Sequence, residues 1–95
     1  MGALITYDLK EQDPDLHEKV RKEMLSNVNI SDKYAFPLGS IVYILPNTTF
    51  YSSILSDRGL LKVLENTCKQ YGATLERCLA VNISGVASGI PGIPF

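Results

Sequence analysis

The apolar positions along this 95-residue chain change their period several times, and each change marks an element. Over residues 2–8, Leu4 and Thr6 alternate with Ala3, Ile5 and Tyr7, which predicts a strand with apolar side chains on both faces. It runs straight into Asp8. Asp13-Pro14 then opens a helix. Asp13 can cap the free N–H groups, and proline suits the first helical position because it has no N–H to lose. Leu16, Val20 and Met24 recur every four residues, with Leu25 beside them, and form the buried stripe. His17, Glu18, Lys19, Arg21, Lys22 and Glu23 fill the rest, and Ser26-Asn27 begins the exit.

The stretch from Lys33 to Tyr51 is strand-rich. Tyr34, Ala35 and Phe36 form a short strand broken by Pro37 and Gly39. Ser40-Ile41-Val42-Tyr43-Ile44-Leu45 is the strongest strand pattern of the chain, stopped by Pro46-Asn47. Its apolar residues do not alternate, as in strands covered on both faces. Thr48 to Tyr51 continue it past a bulge or start another short strand. Ser56 caps a second helix over residues 57–71, with Leu60, Leu64, Cys68 and Tyr71 inward and Leu61 adjacent. Gly72 stands where a left-handed helix end favours glycine. Leu75 to Ile83 is the last strand. The order β-α-β-β-α-β predicts an α+β fold, a ferredoxin-like βαββαβ sandwich with an antiparallel four-stranded sheet and two helices on one face. The other face is then left without an in-chain cover. Residues 1–84 make the domain, and residues 85–95 a Gly/Pro-punctuated tail. Val86, Ile90, Ile93 and Phe95 make that tail apolar enough to dock along the sheet edge or on a partner chain.

A net charge of −1 gives no global basic field, which argues against strong non-specific nucleic-acid binding but allows a local patch. No apolar run approaches the roughly 20 residues of a membrane span. The N-terminus has no basic segment of the signal-peptide kind, so the expected location is the cytoplasm. Cys68 and Cys78 lie in no CxxC or Cys/His cluster, and His17 is the only histidine, so two reduced, partly buried thiols are expected rather than zinc ligands. Gly85 and Gly89 lack the Gly-Lys-Ser/Thr that a phosphate loop requires.

Asp8 is the sharpest candidate for chemistry. A carboxylate at a strand end can bind Mg²⁺ or a water, although Mg²⁺ usually takes one or two carboxylates plus waters and phosphates. A two-fold dimer across the open sheet face would bring a second Asp8 near the first. The plainer alternative is that Asp8 only ends the strand. Lys19, Arg21, Lys22 and Lys33 are the best basic set, interrupted by Glu18 and Glu23. The segment from Leu45 to Tyr51 gathers hydroxyls, an amide and two aromatics that can contact phosphates or bases, or simply turn the chain.

Tyr7-Asp8 after an apolar strand, a charged helix, and then Gly39-Ser40-Ile41-Val42-Tyr43 resembles the small ferredoxin-like CRISPR-associated proteins of spacer acquisition and the related virulence-associated toxin-like nucleases. The resemblance covers residues 2–83. It implies a homodimer formed through the open sheet face. It also implies either a Mg²⁺-dependent endonuclease with Asp8 as catalytic and metal-binding residue, or a scaffold without activity. By that resemblance Tyr7 would stand beside Asp8 with Ser40 near; the lysines of the basic set, Lys19, Lys22 and Lys33, are expected to hold nucleic acid together with Tyr7 and Ser40. The leading expectation is thus a nucleic-acid-associated protein of mobile-element or toxin type. The alternative is a non-catalytic dimerising interaction module, and a small-ligand sensor comes third. Exposed Lys and Arg clustered around Asp8 would favour the first. An apolar, neutral open face would favour the second.

Overall fold

The computed structural model describes residues 2–11, 13, 15–35 and 42–83. Its elements are β1 (Gly2–Leu9), α1 (Leu16–Ser26), β2 (Lys33–Ala35), β3 (Val42–Ile44), β4 (Thr49–Ser52), α2 (Asp57–Tyr71) and β5 (Leu75–Ile83). The fold is α+β: an antiparallel sheet in the order β4-β1-β5, a separate two-stranded ribbon β2-β3, and two helices on one face of the sheet. The β1 ladder to β4 pairs Ala3 with Ser52 and Ile5 with Phe50, and the ladder to β5 pairs Ile5 with Ala80 and Tyr7 with Cys78. With a strand on each side, β1 is central. Its alternation directs Ala3, Ile5, Tyr7 and Leu9 to the helices.

Those four residues meet Val20 and Met24 of α1, Leu60, Leu64 and Cys68 of α2, and Phe50 of β4. Most of the expected stripes pack, with Leu25 and Leu61 against this core, but Leu16 and Tyr71 are only half-buried and lie outside it, the Tyr71 hydroxyl donating to Glu23 Oε1 at 2.9 Å instead. The ends of α2 also follow the pattern. Ser56 is its N-cap, with Oγ accepting from the Gly59 N–H at 3.1 Å, and Gly72 closes it at φ 69°. The start of α1 differs. Its N-cap is Asp15, whose side chain makes no cap hydrogen bond, while Asp13 Oδ1 accepts from the Asp15 N–H in a local turn two residues earlier. Asp13 thus shapes the approach to the helix rather than its first turn. Pro14 lies outside the described residues.

The middle of the chain departs most from expectation. The strongest strand pattern does not enter the main sheet: Val42–Ile44 pairs only with Lys33–Ala35, and Val42 is exposed. The short segment Thr49–Ser52 takes the place beside β1 instead. Two features explain this. Phe50 is fully buried and stacks on Tyr7 at 6.0 Å, so Thr49–Ser52 supplies the core side chain that this side of β1 needs. Pro46 then breaks the run, its carbonyl accepting from the Thr49 N–H at 2.9 Å in a turn that offsets the ribbon from the sheet. Among the described residues a single β-bridge, Ser31 to Tyr51, links the segment leading into the ribbon to the sheet, with reciprocal backbone hydrogen bonds of 2.8 Å. A continuous four-stranded sheet is therefore not formed by the described residues. Ser40 and the tail from Ser84 onward fall outside them.

Candidate interaction face and the Asp8 corner

Even-numbered residues of β1 point away from the helices, and their register partners build one face. Leu4 lies between Tyr51 and Val81, Thr6 between Thr49 and Leu79, and Asp8 beside Arg77. No helix among the described residues covers this face. Leu79 is 63% exposed and Val81 43%, on a strand whose Cys78 and Ala80 pack against the core from the other side. Thr49 donates a hydrogen bond to Thr6, Oγ1 to Oγ1, at 3.2 Å. At the far end Tyr51 leans over Gly2, where an added Cβ would stand 2.7 Å from the Ser52 backbone carbonyl oxygen as well as 2.6 Å from the tyrosine hydroxyl, and the backbone atom cannot swing aside, so a side chain here requires the strand to shift. Tyr51 also meets Tyr34 edge-on at 4.8 Å, tying the ribbon to this edge.

Asp8 and Arg77 close the other end of the face. They are direct cross-strand partners, and the Arg77 guanidinium donates to Asp8 Oδ2. The hydrogen bond and charge of Asp8 raise the Arg77 pKa above its ordinary value. Both side chains are solvent-accessible, so the pair fixes geometry more than it stabilises. Around them lies a shallow depression of about 260 Å³, lined by Thr6, Tyr7, Asp8, Arg77, Cys78 and Leu79. Below it Tyr7 is buried, and desolvation pushes its hydroxyl up to about 12, with smaller effects from Cys68 (raising) and Arg21 (lowering). Burial also raises the Cys68 and Cys78 thiols, reinforced by Cys78 and by Glu65 respectively. Both cysteines therefore stay protonated at neutral pH and are poor nucleophiles.

The expected nucleic-acid residues do not converge on Asp8. Lys19 and Lys22 lie on the exposed side of α1, opposite Val20 and Met24, so the helix layer and the core separate them from the open face. Lys33 begins the ribbon, where its Nζ donates to Asp32 Oδ1 at 3.2 Å. Tyr7 neighbours Asp8 in sequence but faces the core. Ser40 is outside the described residues. Arg77 takes one carboxylate oxygen of Asp8, Oδ2, and among the described residues no three His, Cys, Asp or Glu side chains gather around a point.

Sequence reasoning did not single out Arg21 as more than one member of a basic set. Its guanidinium donates to Asp32 Oδ2 and to the Asn47 carbonyl, each at 3.0 Å, and lies 5.7 Å from the centre of the Phe50 ring. It holds α1, the start of the ribbon and the turn before β4 together. The only available signal was an arginine beside the core stripe, and nothing local told it apart from Lys19 or Lys22. No helix of the described residues is long and apolar enough to cross a membrane. No family model, curated protein or solved structure matches this chain.

Proposed function

We propose that this chain is a small dimerising interaction module whose open sheet face is covered by a second copy of itself. The observation that carries this reading is the pair Leu79 and Val81, exposed beside Leu4 on the sheet face away from the helices. A row of apolar side chains on a sheet is one half of a sheet-on-sheet core, in which layers pack about 10 Å apart. The charges are self-complementary as well. A two-fold axis running between β1 and β5 sets Asp8 of one copy against the partner's Arg77, and the reverse. The surroundings of Asp8 match the apolar, near-neutral face expected of a non-catalytic module rather than a basic cluster.

In this reading the fold is a ferredoxin-like sheet in which the segment at Ser31 serves as a fourth edge strand outside β4, with the β2-β3 ribbon as its extension. The Ser31–Tyr51 bridge supports that order. The nuclease reading is the weaker one, because it needs Asp8 released from Arg77 and a second carboxylate supplied by a partner. Light scattering of the full chain and of Leu79→Glu tests the dimer, with circular dichroism to check the fold. The expected result is a dimer that becomes a folded monomer on substitution. A wild-type chain that stays monomeric at high concentration overturns the proposal. Mg²⁺-dependent cleavage of nucleic acid that is lost in Asp8→Ala would instead favour the nuclease.

A further inference from the structure

The depression at the Asp8 corner has a regular frame. Thr6 and Asp8 stand on β1, and their cross-strand partners Leu79 and Arg77 stand opposite them on β5. All four side chains rise on the open face, while Tyr7 and Cys78 between them turn to the core and leave their paired backbone as the floor. A carboxylate and a guanidinium therefore share one end of the frame, and a hydroxyl and an exposed isobutyl group share the other. Cross-strand side chains of this kind start about 5 Å apart. The volume, about 260 Å³, lies below the range of pockets that hold drug-sized molecules, so a ligand has to be small.

The ion pair does not exhaust its own groups. Arg77 gives one N–H to Asp8 Oδ2, and a guanidinium carries several more. Asp8 Oδ1 accepts no hydrogen bond among the described residues. A lone anion at this corner meets the carboxylate as well as the arginine, and a lone cation meets the arginine as well as the carboxylate, so each is repelled by one half of the pair. A small molecule that carries both charges can lie head-to-tail along the pair and is attracted at both ends. We infer that this depression binds a free apolar α-amino acid, its ammonium on Asp8 Oδ1, its carboxylate on the remaining Arg77 N–H groups and its side chain against Leu79. A peptide does not meet the same requirement, because its terminal charges stand at least one peptide unit further apart. Asp8 and Arg77 are solvent-accessible, so the affinity is modest, roughly millimolar. The corner is also where the proposed dimer sets Asp8 against the partner's Arg77. The amino acid then competes with the second copy, a consequence that rests on the dimer reading, whereas the binding does not.

Amide NMR titration of the full chain with L-leucine tests it, on the wild type and on Val81→Glu, which puts a charge on the dimer face outside the depression. The dispersed spectrum reports that each variant is folded. The expected result in Val81→Glu is a set of saturating shifts at residues 6–8 and 77–79. Adding Arg77→Gln or Asp8→Asn should raise the midpoint several-fold. Leucinamide and 4-methylpentanoate, each lacking one of the two charges, should give no saturating shift. Equal responses to either analogue overturn the proposal, as do a midpoint unmoved by both substitutions, shifts confined to other parts of the chain, or none. Sedimentation of the wild type and Val81→Glu reads the dimer separately, so either idea can fail without the other.

Discussion

Arg21 leaves α1 between a carboxylate, a carbonyl and an aromatic ring, and each contact belongs to a different part of the chain. Hydrogen bonds to charged groups contribute about 1.5–3 kcal/mol each when partly buried, and the carboxylate of Asp32 would lose its partner. Arg21→Ala is therefore expected to cost about 2–3 kcal/mol in urea unfolding. Arg21→Lys should recover only part of this, since a single ammonium cannot span both acceptors. Tyr7 makes a second prediction. Burial raises its hydroxyl from 10.0 to about 12, so below pH 10 it is neutral in both folded and unfolded chains. Between pH 10 and 12 the unfolded chain gives up the proton first, and stability falls by about 2–3 kcal/mol across that window. The urea midpoint of Tyr7→Phe should accordingly decline less steeply over the same range. The burial of Tyr7 was legible from its place in a strand. The bonds of Arg21 were not, because Asp32 and Asn47 come to it only through the fold.

The two helices are specified to different degrees by their own residues. In α2 the pattern, the cap and the terminator all agree, and each is found in place. Ser56→Ala is expected to cost about 1 kcal/mol through loss of its bond to the Gly59 N–H. Gly72→Ala should cost about 1–2 kcal/mol, because φ is positive there although the surrounding space is open. By contrast, Asp15→Ala at the start of α1 should change stability by only about 0.5 kcal/mol or less, since its side chain makes no cap bond. Urea denaturation of the three variants side by side checks this ranking. Among the strands, β1 and β5 follow the apolar pattern closely. The described part of the 40–45 run, Val42–Ile44, pairs with Lys33–Ala35 rather than in the main sheet, because strand propensity fixes conformation but not the neighbour. Phe50 won the place next to β1 through packing against Tyr7.

For the molecule as a whole, the proposed dimer makes a prediction at the open face. If Asp8 of one copy meets the partner's Arg77, then Asp8→Lys alone should weaken association and the double change Asp8→Lys/Arg77→Glu should restore it. Sedimentation at low ionic strength should show this most clearly, since salt screens exposed pairs. Recovery in the double variant would separate paired charges from a general loss of folding. The candidate site was half visible in the sequence. Asp8 could be placed at a strand end from the chain alone, but its cross-strand partner Arg77 lies 69 residues away.

By itself the sequence determined the two helices and most of their buried stripes, strands β1 and β5, the caps of α2 and the α+β class. Those features rest on local periodicity and backbone preference, which act within a few residues. Only the tertiary structure decided which middle segment joins β1, that Asp8 is held by an arginine, that Lys19 and Lys22 lie on the opposite layer, and that Arg21 fastens three segments together. Each of these depends on which distant residues share a face, and that follows from packing one core rather than from any short stretch of chain.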